Sequence, residues 1–385
     1  MTSPGPVPAA DSGPLRVSTL ELFFDLVFAF TLTQLTALLA ARLSGAGLAQ
    51  VLLVFGVLWW MYGGYAWLTN TRRHERTAER LLLLLGMAGF LIAGLAIPRG
   101  FGASGSASGL ALGLGYLLVV LVHSALYYRA NRNIVRVAPF NVASALLVVA
   151  AGLTGGAAAY ALWAAALAIQ VLSPLVFPVR GRFEIRPAHF VERHGALLIV
   201  ALGESVAAVG IGAAAQPMSL SLAVATALGL ALSAALWWVY FGTRDDERAE
   251  RAMTAADPDR RPALALTAYF FAHIPILLGV VVTAAGVSLT IGQATRPHPA
   301  GQAAALAGGV ALFLAGVAWF RAALRIGSAR PPAAAAVFAL VTVVLGITVA
   351  IEAQLALLLA GIVAMLGAER YRATASRPGR AGGGG

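Results

Sequence analysis

Twelve apolar runs, each long enough to cross a bilayer, limit what this chain can fold into. They fall at about 19–41, 48–70, 81–98, 109–129, 138–154 and 157–178, then at 188–213, 219–242, 262–291, 301–323, 332–350 and 353–368. A hydrocarbon core about 30 Å thick takes ~20 residues of helix at 1.5 Å each. Lipid offers backbone N–H and C=O groups no partners, so runs of this length become helices, which satisfy their own backbone. The expected fold is an all-α polytopic membrane protein with about 12 transmembrane helices. Composition agrees: 59% hydrophobic, 11% charged and a mean hydropathy of +0.82 leave too little polar surface for a soluble chain of 385 residues.

All 27 basic residues are arginine. With twelve spans, the N-terminus, the even-numbered loops and the C-terminus share one side and hold 23 of them, against three (Arg42, Arg99 and Arg296) in the opposite loops. That asymmetry predicts that both termini are cytoplasmic. The pI near 10.9 is then a topology signal, so the lipid bilayer is the expected partner and nucleic acid is not. The absence of cysteine excludes disulfides and thiolate metal sites.

The halves echo one another. "LWWMYGG" at 58–64 returns as "LWWVYFG" at 236–242, and "SALYYRANR" pairs with "VAWFRAALR". The expected organisation is a flexible tail at 1–18, a six-helix repeat at 19–178, a second at 188–368 and a flexible tail at 369–385. An even helix number per repeat makes the two parallel, an arrangement that places sites between the halves near mid-membrane. The tryptophan pairs Trp59/Trp60 and Trp237/Trp238 read as interfacial belts. The run "TRDDERAERAMTAADPDRR" reads as a solvated linker.

Charge inside the apolar runs is the chemical signal. In "STLELFFDLVFAF", Ser18 and Glu21 form a capping box. Asp25 lies one turn deeper, where capping cannot reach, and is expected to pair with an arginine of the seventh segment or of a cytoplasmic loop. In "HFVERHGALLIVALGES", Glu192, Arg193 and His194 fall in the first two turns, suited to ion pairing or proton relay. Glu204 lies about 24 Å along that helix. A carboxylate so deep normally faces the bundle interior or a water cavity. Counting from Glu21 and Glu192 sets Thr33 opposite Glu204 and Gln34 opposite Ser205, a polar layer in which Glu204 meets the first segment across a small cavity. Gly203 and Ser205 are expected to admit a neighbouring helix. His123 and His273 are core histidines or relay groups, and Asn141 and Gln170 join helices by hydrogen bonds. No metal-ligand spacing and no cofactor motif occur.

The two stretches "STLELFFDLVFAFTLTQL" and "HFVERHGALLIVALGES" resemble the hallmark segments of the low-temperature-requirement protein A family. Together with the twelve-span layout, the resemblance covers most of residues 18–370. It implies a bacterial inner-membrane protein and brings no substrate or mechanism. "FFDLVFAF" also resembles, in outline, the Phe-Ser-Asp first-helix motif of a family of potassium channels, with Phe24 in place of the serine. A transporter or channel-like protein for an unknown small molecule or ion, coupled to protons or cations, is the leading expectation. A non-transporting scaffold or envelope-homeostasis factor is the alternative. An enzyme is the third class, and no convergent acid–base or metal cluster supports it.

Overall fold

The computed structural model describes residues 16–71, 76–130, 134–176, 185–214, 216–291 and 299–375. Among the described residues the regular elements are all helices, joined by turns and short loops, with no strand. The first half contains α1 (Thr19–Ala41), α2 (Gly45–Thr71), α3 (Thr77–Ala96), α4 (Ala107–Ala130), α5 (Ile134–Leu153) and α6 (Gly156–Val176). The second contains α7 (Pro187–Ala214), α8 (Leu220–Trp237), α9 (Asp245–Ala255), α10 (Arg261–Ala265), α11 (His273–Thr290), α12 (Ala300–Leu324), α13 (Arg330–Val341), α14 (Val343–Thr348) and α15 (Ile351–Ala375). They make up 12 rods long and apolar enough to cross a membrane. Four rods are composite, the rod of α3 ending in a 3₁₀ turn at Ile97–Arg99. A π-helical turn at Trp238–Gly242 runs α8 into α9, another at Leu266–Phe271 links α10 to α11, and Thr342 interrupts the rod of α13 and α14.

Local chemistry sets the ends. The capping box at the start of α1 is formed: Glu21 N–H donates to Ser18 Oγ at 3.3 Å, and Ser18 N–H donates to Glu21 Oε2 at 2.8 Å. The last helix continues to Ala375, beyond the expected boundary at 368. Residues 1–15 and 376–385 of the two expected tails, most of the arginine-bearing "TRRHER" loop and Arg296 lie outside the described residues.

Both halves follow one order of packing. The first helix touches the second and third; the third packs on the fourth, the fourth on the fifth, the fifth on the sixth, and the sixth returns to the second. In the second half those partners are α7, α8, α11, α12, α13 and α15. The halves meet where α1 lies against α7 and α11. The side on which α1 and α7 begin is called the proximal face below.

The helices α11 and α12 approach each other closely through glycines. A Cβ on Gly279 would sit 2.5 Å from the Phe313 backbone nitrogen. Membrane helices gain little from apolar burial against each other, so small residues that bring backbones together carry the association. Gly279→Val is therefore expected to destabilise the protein by about 1–3 kcal/mol, the usual range for overpacking. Unfolding titrations of the protein in nanodiscs check this, and an unchanged midpoint would contradict the tight α11–α12 seam.

Two expectations about surface residues are corrected. Trp59 is 1% exposed; its indole N–H donates to the Phe270 carbonyl at 3.1 Å, and its ring stacks on Tyr62 and Phe55. Trp60 donates to Asn141 Oδ1 at 3.2 Å. This pair ties the halves and helices together inside the bundle, whereas Trp237 and Trp238 are exposed as a belt would be. The expected linker is also structured at its start: Asp245 is fully buried and begins α9, because Arg321 reaches it from α12.

Candidate functional site at the junction of α1 and α7

Side chains of α1 and α7 meet at three levels. Glu21 meets His189, Asp25 meets Arg193, and Thr33 meets Glu204. The offset between partners is 168 residues at the first two levels and 171 at the third. A nearly constant offset means that the helices run side by side in the same direction.

At the proximal level, Arg193 and Asp25 are each 1% exposed. Arg193 offers Nε and Nη2 to the same oxygen, Asp25 Oδ1, both at 3.2 Å. Tyr62 from α2 donates to that oxygen as well, at 2.9 Å. Arg193 Nη1 turns toward Glu21 Oε1 at 3.5 Å and donates to the Thr69 hydroxyl. The guanidinium lies 5.6 Å from the ring centroids of Phe24 and Tyr62, so cation–π attraction adds to the ion pair. The other oxygen, Asp25 Oδ2, is buried with no hydrogen-bond partner among the described residues.

His189 closes the cluster from above. Asn70 is held by Arg186, whose N–H donates to Asn70 Oδ1 at 2.9 Å, and the Asn70 amide in turn approaches His189 Nδ1 at 3.2 Å. With Nδ1 accepting from that amide, the ring proton sits on Nε2, which is 3.1 Å from Glu21 Oε1. Glu21 thus serves as helix cap and as ion-pair partner at once. Two carboxylates share one guanidinium here. When both are ionised and His189 is neutral, the cluster carries one negative charge more than it can balance. Chemically it can take up a proton or a monovalent cation, and Asp25 Oδ2 is the open position.

Further along the seam, by roughly 12–16 Å at 1.5 Å per residue, Thr33 Oγ1 donates to Glu204 Oε2 at 2.6 Å. Glu204 is half-buried, as is Gln34, and Ser205 is buried with its hydroxyl unpartnered among the described residues. Glu204 therefore faces α1, the helix that the repeat count set opposite it. Gly203 does not admit a neighbouring helix: a Cβ there would meet nothing within 4 Å, since the residue sits on the outward side of α7.

The remaining candidates divide. His194 and His273 come together with ring centroids 5.5 Å apart, next to Tyr269 and 6.5 Å from the Tyr62 ring in the case of His194. His194 Nδ1 donates to the Phe190 carbonyl at 2.8 Å and His273 Nδ1 to the Ala268 carbonyl at 2.9 Å, which leaves both Nε2 atoms as acceptors. Tyr240 O–H lies 3.4 Å from His273 Nε2. His123 stands apart on α4, between the Tyr65 and Tyr127 rings. Glu192 stays outside the cluster; it is exposed and accepts the Val17 N–H at 3.3 Å. Asn141 takes the Trp60 indole, and Gln170 donates to the Tyr116 hydroxyl. Among the described residues no group of three or more His, Asp or Glu could hold a metal ion.

Sequence reasoning missed His189, Tyr62, Thr69 and Asn70. His189 had a legible signal: it precedes Arg193 by four residues, as Glu21 precedes Asp25, so two bases and two acids line matching faces of parallel helices. A second buried ion cluster was missed as well, Asp245 with Arg321 at 2.6 Å and Arg321 with Glu369 at 2.6 Å.

No solved structure matches the chain. A curated relative, "Uncharacterized protein RA0937" of Rhizobium meliloti (strain 1021), is 26% identical over 322 residues, covering 80% of this chain and 77% of the relative. The family model described as "Bacterial low temperature requirement A protein (LtrA)" matches residues 16–368, which include every helix of the α1–α7 junction. With nearly the whole chain matched, the protein belongs to the bacterial low-temperature-requirement A family.

Proposed function

We propose that this protein is a transporter or channel-like protein of the bacterial cytoplasmic membrane, with its site on the α1–α7 seam and a proton or monovalent cation as the coupling or carried ion. The observation that carries this reading is the charge imbalance of the buried cluster: Glu21 and Asp25 against Arg193, with Asp25 Oδ2 open. Intramembrane carboxylates are costly and rare, face the bundle interior and commonly mark ion pathways or proton relays. Glu204 supplies a second carboxyl on the same seam. The matching order of packing in the two halves supports two parallel six-helix repeats, which set this seam between them.

The test is flux through the purified full-length protein in liposomes. With a pH-sensitive dye inside and an imposed membrane potential, protein-containing vesicles should move protons, Na⁺ or K⁺ faster than empty ones. Rates no faster than those of empty vesicles for all three ions would overturn the reading. The packing of the seam favours a second reading, a non-transporting scaffold, on one ground. Phe28 and Leu32 on α1 and Leu197 and Leu198 on α7 lie along the helices between the Arg193 cluster and the Thr33–Glu204 contact, and all four are buried apolar residues.

The arginine distribution orients the protein with both termini in the cytoplasm, so the proximal face is cytoplasmic. Reporter fusions after residues 75 and 250 are expected to read cytoplasmic, and fusions near Gly102 and Gln216 periplasmic. A periplasmic signal at 250 would reverse the orientation of the second half.

A further inference from the structure

A second polar feature lies on the proximal face, away from the α1–α7 seam. A recess of about 350 Å³ opens where the end of α8, the start of α9, the end of α12 and the end of α15 converge. Its floor is Arg321, 2% exposed and fixed by Asp245 and Glu369. Arg244, Arg248, Arg370 and Arg372 surround the mouth. Leaving Arg372 aside, Arg244, Arg248, Arg321 and Arg370 stand against the three carboxylates that pair with this group among the described residues, Asp245, Glu247 and Glu369. The cations exceed what the local ion pairs neutralise.

The shape of the wall is specific. Gly242 lets the Trp238 ring lie across the π-turn, since a Cβ there would come within 2.5 Å of the indole. That ring in turn carries the Arg370 guanidinium at 5.6 Å from its centroid. Arg244 adopts a left-handed backbone, φ 58°, which closes the turn and starts α9. Trp237 and Trp238 are 39% and 43% exposed, the amphipathic placement of a headgroup-level belt.

We propose that this recess binds a phosphate-bearing anion, presented by an anionic phospholipid headgroup or by a soluble phosphate compound. Guanidinium groups match phosphate oxygens in pairs of parallel N–H···O bonds, and arginine is the side chain best suited to that geometry. Basic pockets between membrane helices at the cytoplasmic level hold anionic headgroups by the same chemistry. The exposed tryptophans beside the mouth favour the lipid source, because an acyl chain leaving the recess would run along α8 and α15.

Thermal unfolding of the full-length protein in detergent tests the proposal. The midpoint is titrated with phosphatidylglycerol, phosphatidylcholine, inorganic phosphate and glycerol 3-phosphate. Phosphatidylglycerol should raise it where phosphatidylcholine does not. Arg370→Gln with Arg372→Gln should weaken that response at least tenfold in apparent affinity. The pair Arg136→Gln with Arg260→Gln removes the same charge from exposed sites elsewhere and should leave the response within twofold. A rise with inorganic phosphate or glycerol 3-phosphate assigns the soluble source; a rise with phosphatidylglycerol alone assigns the lipid. No rise with any phosphate-bearing ligand beyond phosphatidylcholine, or equal losses in the two pairs, would overturn the site.

Discussion

Arg193→Gln is expected to be among the most destabilising single changes in this protein, at roughly 3–5 kcal/mol, the range for stranding buried charge by removing its partner. The cause is specific to the cluster. Without the guanidinium, Glu21 and Asp25 face each other with no full cation between them, compensated by His189 and the Ser18 donors at Glu21 and by the Tyr62 hydroxyl at Asp25. Asp25→Asn should cost less. Its amide oxygen can keep the three donors that converge on Oδ1, and one carboxylate then faces one guanidinium. Glu21→Gln should cost least, because that residue is more exposed and its cap can survive as an amide. The double variant Arg193→Gln with Asp25→Asn should recover part of the loss of Arg193→Gln, since removing both partners leaves no stranded pair. Unfolding titrations in nanodiscs measure all four. Midpoints equal to that of the wild type for all three single variants would mean that the cluster is an interfacial decoration.

The second large effect is expected at Arg321. Its side chain is almost wholly buried and serves Asp245, Glu369, Thr243 and the Ser328 carbonyl. Arg321→Gln leaves the fully buried Asp245 with only the Arg248 guanidinium at 3.3 Å, so the cost is expected near the lower end of the roughly 3–5 kcal/mol for breaking a buried pair. The loss should be local at first. Asp245 starts α9 and Glu369 lies on α15, so hydrogen exchange should rise over 243–255 and 366–375 before it rises in α1–α6. Uniform exchange across both halves would contradict the local anchoring role.

The sequence made the span count, the capping box and the need of Asp25 for an arginine partner, from the seventh helix or a cytoplasmic loop, legible, each for a physical reason. Long apolar runs allow only helices, Ser18 and Glu21 carry the cap in their spacing, and a buried aspartate requires a cation. Trp59 was misread because a Trp–Trp pair at the end of an apolar run looks the same whether it meets headgroups or the core. Only the tertiary fold supplies the Phe270 carbonyl that makes burial affordable. Asp245 was hidden in a run of mixed charges, where local composition says "solvated" and a partner 76 residues away says otherwise. Gly203 failed for a similar reason: small size permits a close neighbour, but the fold decides whether one is present.

The seam between α1 and α7 is the centre of the account, and Glu204 is the residue that separates transport from packing. Glutamine keeps its size and its hydrogen bond from Thr33, which sits 2.6 Å away, but removes the ionisable group. The decisive measurement is proton flux in liposomes for wild type and Glu204→Gln, each first matched for unfolding midpoint. Glu204→Gln is expected to leave the midpoint unchanged, within about 1 kcal/mol where a half-buried hydrogen bond is kept, and to lose most of the protein-dependent flux. A folded Glu204→Gln variant that moves protons at the wild-type rate would contradict it.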